Sequence, residues 1–415
     1  MIREIICYTA SAQSKSYREM NILHTLPCIG ENGGGPPRSV SHLCNNLSVN
    51  GSSVSILSGD PSGTLSAVNL DPNIALFQAG KVGRKTVFNM LGRHIYRTLS
   101  EQHGVTKFDI CHQHGVWLPF SHQSTFFAAS NSVPLILSPR GMFEPWSMNH
   151  KRLKKSIAWH LYQKKDLGSV HSFHATALSE AESIRRLGFK QPIAVIPNGV
   201  ELPTQPVAGD CKMRMENGVF REDGMKTALF LSRINPKKGL PMLLDVWAKV
   251  APSDWQLVIA GNDDANHLPE VQAKIYEHQL QDRVSIVGAL FGEDKEKAFL
   301  QADLFVLPSF SENFGIVVAE ALSYRVPVLT TTGCPWEELK IYNCGWWVEP
   351  TFEGIEKGLR SAFLVPKTSL KQMGDRGFNL VKENYLWSGI GNKMISFYEW
   401  VLNGGEKPSF VITES

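Results

Sequence analysis

The chain is short of several features that would narrow its function at once. Neither sign of charge dominates. Its 42 Lys and Arg stand against 39 Asp and Glu, a formal net charge of +3, so no global basic field argues for a nucleic-acid partner. The 7 cysteines, at 7, 28, 44, 111, 211, 334 and 344, include no C-x-x-C pair, which disfavours a zinc site or a redox pair. An odd count without a framework suits a reducing cytoplasm. No run approaches the ~18 apolar residues that a membrane span needs. The opening stretch, MIREIICYTASAQSKSYREM, lacks an extended apolar core and makes a poor signal peptide. A G-x-G-x-x-G fingerprint is missing, and no Lys-Ser or Lys-Thr follows the glycine triplet, so neither a clean dinucleotide fold signature nor a Walker loop is present. A dehydrogenase is disfavoured on that ground.

What is present is length and repetition. At 415 residues, 43% hydrophobic and 20% charged, the chain has room for two α/β domains with cores of ordinary size. Short apolar runs that end in glycine, proline or polar residues alternate with helical periodicity, and the pattern starts twice. The first pass opens at Met20, with strands at 22–26, 54–57, 108–112, 134–138, 173–176 and 193–196. Residues 58–83 read as irregular and 86–103 as a helix. The second pass has strands at 227–231, 255–260, 284–287, 304–307, 326–330 and 346–348. The expectation is an α/β fold of two Rossmann-like domains facing a cleft. A flexible leader covers 1–19, and a chain beginning at Met20 is expected to fold. The first domain covers 20–198, a linker 199–222 and the second domain 223–385. A closing helix over 386–403 packs back on the first domain, and 404–415 is a frayed tail.

The most informative stretch is 303–330, DLFVLPSFSENFGIVVAEALSYRVPVLT. Leu304 to Leu307 is an apolar run stopped by Pro308, as in a buried parallel strand. A polar loop carries Glu312, and the helix after Gly315 carries Glu320 about two turns in. Ligands of open α/β sheets bind at the carboxyl ends of strands, and free amides at the start of a helix suit a phosphate. A carboxylate there is better suited to sugar or ribose hydroxyls, which can donate to it. Other polar groups also stand just past strand ends: Gly33, Gly34 and Gly35, whose backbone can approach a ligand closely, then His114, Arg140 and Glu144, and Arg233 and Lys238. Arg140 and Glu144 are candidates for acceptor contacts. Arg233 and Lys238, with no acidic run nearby in sequence, suit a diphosphate whose charge grows as it departs.

Residues 150–165, HKRLKKSIAWHLYQKK, carry Leu153, Ile157 and Leu161 at every fourth position. Lys151, Arg152, Lys154, Lys155, Lys164 and Lys165 flank them. Two readings compete: a surface helix whose apolar stripe faces the core, or a helix lying on an anionic membrane surface.

Over nearly all of 20–403 the chain resembles the retaining GT-B glycosyltransferases, the large group 1 or family 4 type. PSFSENFGIVVAEAL carries the paired glutamates. Arg233 and Lys238, four residues between them, match the diphosphate-binding pair. IPNGV at 196–200 matches the segment that opens the second domain, and HQHGVW matches the histidine loop of the first. SPRGMFEPW and GCPWEEL are similar to a branch common in bacterial surface-polysaccharide assembly. The resemblance implies transfer of a sugar, with retained configuration, from a UDP- or GDP-linked donor to a glycan or polyprenyl-diphosphate-linked acceptor. The setting would be O-antigen, capsule or exopolysaccharide synthesis, in the cytoplasm or on the cytoplasmic face of the inner membrane. No cofactor and no metal are implied, so the loop pair Asp263-Asp264 is not expected to hold one. His114, Arg233, Lys238 and Glu312 would form the catalytic set, with His114 and Glu312 on the donor sugar. Glu320 would take the ribose hydroxyls, Gly34 or Gly35 the diphosphate, and Val287 and Gly288 would border the base. Gly33, Arg140, Glu144, Asn313, Phe314 and Gly315 complete the substrate-binding set. The pattern breaks at Tyr324-Arg325-Val326, where the family usually has glycine.

Two further readings stay open: a sugar-nucleotide epimerase or hydrolase on the same plan, and a non-catalytic partner that only binds nucleotide sugar. The intact charged set argues against the second.

Overall fold

The computed structural model describes residues 20–30, 34–60, 66, 68–78, 107–149, 152–203 and 225–414. The expected leader, Gly33, the helix expected over 86–103, Lys151 and most of the expected linker lie outside the described residues.

The central strands are buried along most of their length, because helices cover the parallel sheets on both faces. The first half contributes β1 (Asn21–Leu26), α1 (Gly35–Val49), β2 (Ser53–Ser58), β3 (Ala75–Gln78), β4 (Ile110–His114), α2 (Pro119–Ser130) and β5 (Leu135–Ser138). There follow α3 (Pro145–Asn149), α4 (Arg152–Ala158), a π-helical turn (Trp159–Gln163), α5 (Lys164–Gly168), β6 (Ser172–Ala175), α6 (Leu178–Arg186) and β7 (Ile193–Val195). The second half contributes β8 (Lys226–Leu231), α7 (Leu240–Val250), β9 (Trp255–Ala260), α8 (Leu268–Glu277), β10 (Val284–Gly288), α9 (Gly292–Leu300), β11 (Leu304–Leu307) and α10 (Ile316–Ser323). It continues through β12 (Val328–Thr331), α11 (Glu338–Ile341), β13 (Gly345–Val348), α12 (Phe352–Phe363), α13 (Lys367–Asn384), α14 (Trp387–Asn403) and β14 (Val411–Ile412).

The first sheet has the order β14-β7-β6-β5-β4-β1-β2-β3 and the second β10-β9-β8-β11-β12-β13. All pairings are parallel except β14 with β7. In each sheet the strand order reverses once near the middle, between β1 and β4 and between β8 and β11. Crevices at such reversals, outside the carboxyl ends of the strands, receive ligands.

The closing helix does pack on the first domain. Trp387, Ile390, Met394, Phe397 and Tyr398 of α14 are buried with Ile22, Leu26, Leu43 and Leu47. At roughly 1.5–3 kcal/mol per large apolar side chain, this contact ties the chain's end firmly to its beginning. Gly199 lies so close under the Trp387 indole that a Cβ there would collide with it.

Two expectations need correction, and one break in the family pattern finds its physical reason. The tail is not frayed: β14 adds an antiparallel edge strand to β7, with Val411 buried and the Val195 amide donating to the Phe410 carbonyl at 2.9 Å. An edge otherwise left open is thereby paired. The apolar stripe of α4 does not face the core. Leu153, Ile157 and Leu161 are 82%, 62% and 68% exposed; α4 buries none of its residues, and the segment packs on the domain further along, through Gln163 of the π-helical turn and Asp166 and Leu167 of α5. Finally, the glycine-free end of α10 is tolerated at a cost. Arg325 adopts a left-handed φ of 61°, which L-residues resist, and its guanidinium is held by Asp375 at 2.5 Å and over the Phe378 ring at 4.0 Å.

Candidate active site

The second-domain side is built by the loops after β8 and β11, adjacent strands whose ends bring distant residues together. Lys238 Nζ lies 2.5 Å from Glu312 Oε1, with both side chains about one-tenth exposed (10% and 11%). Ser309 Oγ donates to the same carboxylate oxygen at 2.7 Å. Burial alone would raise the Glu312 carboxyl, but Lys238 and Lys237 outweigh it and hold it below its ordinary value. The turn Pro236–Lys238 is fixed by Asn235, whose side chain accepts from the Lys237 amide. The sequence left Lys238 without an acidic neighbour; the fold supplies one 74 positions away.

Arg233 also has an acidic partner, Asp264 at 2.7 Å, but it stays half exposed (54%). Its guanidinium carbon lies 4.0 Å from where a Cβ on Gly34 would stand. Gly34 caps α1 with φ 76° and no side-chain cap, so the positive end of a 15-residue helix faces Arg233 across the cleft. Asp263 and Asp264 are both engaged. The first accepts from the His267 and Leu268 amides at 2.8 and 3.0 Å, and the second holds Arg233 and Asn235.

Glu320 sits on α10 and pairs with Lys295 of α9 at 2.6 Å. Val287 and Gly288 end β10, where the Gly288 carbonyl accepts from the Gly261 amide at 2.7 Å. Gly315 opens α10 with φ 73°, and a Cβ there would strike Cys334 Sγ, so only glycine fits. Phe314 departs from its expected role. Its ring is buried against Trp336 and Tyr385, so the ring supports the loop and leaves only the backbone of this residue to face the cleft.

The first-domain side centres on buried histidines. Arg140, with only donors, reaches His114 Nδ1 at 3.1 Å and Asn198 Oδ1 at 2.8 Å. His114 must therefore carry its proton on Nε2, and it donates toward His24 Nδ1 at 3.0 Å. A second chain runs beside the first. His174 Nε2 donates to the Ile196 carbonyl at 2.8 Å, so His174 Nδ1 accepts from His112 Nε2 at 3.4 Å. His112 Nδ1 in turn accepts from the Tyr398 hydroxyl at 2.7 Å. Burial keeps all four imidazoles neutral. It pushes His24 and His174 down to about 3 and His112 and His114 well below the ordinary range. Burial also lowers the neighbouring Arg140 guanidinium to about 10. Donor atoms of His24, His112 and His114 lie within 4.8 Å of one another, but an arginine donating into the cluster opposes a divalent ion there, and a metal-bound histidine normally donates from its other nitrogen. Both ring nitrogens of His114 are occupied by protein, so neither is a free donor in this arrangement.

The two halves meet at the loop after β5. Gly141 has φ 76°, and a Cβ there would lie 2.9 Å from Asn313 Cβ. Asn313 Nδ2 donates to Thr176 Oγ1 at 2.7 Å. Fully buried Glu180 braces this loop by accepting from the Gly141 and Thr176 amides at 2.6 and 2.8 Å. Burial, then the Glu180 charge, raises the Glu144 carboxyl to about 7. Among the expected residues, Arg233, Lys238, Glu312, Asn313, Gly34, His114 and Arg140 are brought together. Glu320 and Val287–Gly288 stand along the second-domain wall, Phe314 is withdrawn, and Gly33 is outside the described residues. Sequence reading missed Lys237, Thr176, Glu180 and Lys295. Lys237 and Thr176 also follow strand ends and could have been found by that rule; Glu180 and Lys295 lie within helices and carry no local signal.

Two Rossmann-like domains, with cations after β8 facing a capless glycine helix start after β1, define the GT-B architecture. Two family models match the chain, Glycosyltransferase Family 4 over 33–203 and Glycosyl transferases group 1 over 215–379. The chain belongs to the GT-B glycosyltransferases. It is 23% identical over 295 residues to one subunit of the human phosphatidylinositol N-acetylglucosaminyltransferase, a match covering 70% of this chain and 57% of that protein. The chain thus spans about half the length of the curated relatives it matches. Its fold is similar to sucrose-phosphate synthase from Thermosynechococcus elongatus, with TM-score 0.73, 17% identity and coverage of 93% and 100% of the two chains. It is also similar in fold to Anabaena Alr3699/HepE in complex with UDP and glucose, with TM-score 0.69, 14% identity and coverage of 91% and 99%.

Proposed function

We propose that the chain is a retaining glycosyltransferase that moves a sugar from a nucleotide-diphosphate sugar to a hydroxyl of a glycan or polyprenyl-diphosphate-linked acceptor. The observation that carries this reading is the convergence of Arg233, the Lys238–Glu312 pair and the amino end of α1 in one cleft. The diphosphate lies between the Gly34 and Gly35 amides and Arg233. Lys238 turns from Glu312 to a phosphate oxygen, and donor-sugar hydroxyls replace it at the carboxylate. Glu320 takes the ribose hydroxyls, with the base against the Val287–Gly288 backbone. In the transfer step the bond from the anomeric carbon to the leaving phosphate oxygen breaks. The acceptor oxygen bonds to the same face, and its proton passes to the departing phosphate. Arg233 and Lys238 stabilise the charge that grows on the diphosphate more than they stabilise the bound donor, which is what lowers the barrier. They supply the charge that a metal supplies elsewhere.

The uridine nucleotide in the Anabaena neighbour favours UDP over GDP as the base to test first. The name of the human relative favours a lipid-borne acceptor. SPRGMFEPW and GCPWEEL favour bacterial surface-polysaccharide assembly. In this reading 20–198 is the acceptor side and 223–385 the nucleotide-sugar side. The exposed Leu153, Ile157 and Leu161, flanked by exposed Arg152, Lys154, Lys164 and Lys165, favour docking on an anionic inner-leaflet surface.

Lys238→Ala and Glu312→Ala are each expected to lower transfer of labelled sugar into a lipid extract by about 100-fold or more. Near-normal turnover in either variant would remove the assignment. Free sugar released with no acceptor present would favour the hydrolase reading, a donor recovered as its epimer the epimerase reading, and binding without turnover the partner reading.

A further inference from the structure

The cleft wall opposite the diphosphate cations carries a group of side chains that the transfer chemistry leaves unused. Trp146, at the start of α3, is 44% exposed. Lys237 reaches across from the second domain to place its ammonium 5.4 Å from the Trp146 ring centroid. Glu144 stands two residues before the indole, with Ser183 donating to its carboxylate at 3.3 Å. Arg186 Nη2 donates to the same Ser183 oxygen at 2.5 Å.

We propose that Trp146 is the platform on which the acceptor's receiving sugar ring lies, with Glu144 and Lys237 taking its hydroxyls. This rests on the glycosyl-transfer reading of the cleft and names the acceptor side of it. A pyranose presents a face of C–H groups and a rim of hydroxyls. An aromatic face beside a few placed polar groups is the site such a molecule requires. The charges point to a neutral, hydroxyl-bearing ring rather than to an anion. Two acids, Glu144 and Glu180, stand against two cations, Arg186 and Lys237, and the other three all act on Glu144. An anionic group would meet the Glu144 carboxylate as well as the cations, with the buried Glu180 charge behind it.

Lys237 explains how the platform is kept ready. A cation over a half-exposed indole is weakly held, so a sugar ring can displace it. The ammonium is pulled toward carboxylates on both sides, Glu312 and Glu144. Once off the indole it stays between the donor pocket and the acceptor, where it can hold a hydroxyl of either. The carboxyl of Glu144, raised to about 7 by burial and by Glu180, accepts best from a hydroxyl once ionised. Glycoside binding is therefore expected to strengthen as pH rises through 7.

The test uses the full chain and saturation-transfer NMR with p-nitrophenyl glycosides of glucose, galactose, mannose, N-acetylglucosamine and rhamnose. Wild type is expected to saturate the ring protons of one or more of them. Trp146→Phe should keep the signal, and Trp146→Ala should bind that glycoside about tenfold more weakly. The shift in melting temperature caused by UDP-glucose or GDP-mannose should be the same in all three proteins. A wild type that saturates none of the glycosides, or a Trp146→Ala protein that binds as wild type does, overturns the proposal. Glycoside binding without any nucleotide-sugar shift leaves the platform standing and removes the donor reading instead.

Discussion

Lys238 and Glu312 neutralise one another until a ligand comes between them. Removing one partner of a buried pair leaves the other uncompensated, which costs about 3–5 kcal/mol. Lys238→Met and Glu312→Gln are each expected to lower unfolding stability by about 3 kcal/mol. The double variant should lose less than either alone, because no charge is left unpaired, while transfer stays lost in all three. Urea unfolding and turnover on the same samples check this, and additive stability losses would show that the two residues do not interact. The pair also marks the limit of what the sequence shows at this scale. Both residues are legible as cleft groups, since each follows a strand. Their contact is not, because it depends on β8 and β11 being neighbours. The same limit applies to His114, whose nitrogens are taken up by Arg140 and His24, and to Phe314, where a motif position names a residue without saying which way its ring turns.

The α4 helix shows how periodicity can be right and its interpretation open. Leu153 and Ile157 lie on α4 and Leu161 on the π-helical turn after it, and their spacing could not say what covers them. With all three exposed beside lysines, the helix is expected to bind vesicles containing phosphatidylglycerol, and to release them as salt rises. Replacing the three apolar residues by serine should abolish co-sedimentation while leaving the fold intact, since none is in the core. Unchanged partition would reject a membrane role. Elsewhere the elements were legible where strands are long and buried: β1, β8, β9 and β11 lie where their apolar runs place them. β3 and β14 were not, because four- and two-residue edge strands carry too little pattern and owe their form to the neighbouring strand. The α2 helix starts at a proline with mixed polarity on all sides, so no stripe announced it.

The whole molecule is locked by α14, whose Tyr398 donates to His112 and so joins the chain's end to the imidazoles under the first sheet. Those imidazoles fold neutral. In the unfolded chain each titrates near 6.5; in the folded one His24 and His174 titrate at about 3 and His112 and His114 far below normal. A depressed value means that the stabilisation is present above pH 6.5 and is lost as pH falls from there toward 3. At pH 5 each histidine costs roughly 2 kcal/mol. The carboxyls of Glu144, shifted up to about 7, and of Glu180, Asp166 and Asp303, also raised by burial, act in the opposite sense and moderate that loss. The melting temperature is therefore expected to fall steeply between pH 7.5 and 5, and a flat calorimetric profile would contradict the buried neutral network. At this scale the two-domain plan was open to a sequence reader, because two runs of β–α units are visible along the chain. The facing of the two domains was expected from that plan, but the contacts that set it, Gly34 with Arg233, Gly141 with Asn313 and Asn313 with Thr176, are encoded by no local pattern. That facing is the basis of the functional claim, and donor binding tests it most directly. A thermal-shift screen of UDP- and GDP-sugars should raise the melting temperature for at least one of them, as a ligand bound only by the folded state must. The shift should be strongly reduced in Arg233→Ala. No shift with any nucleotide sugar, or an equal shift in that variant, would contradict the account.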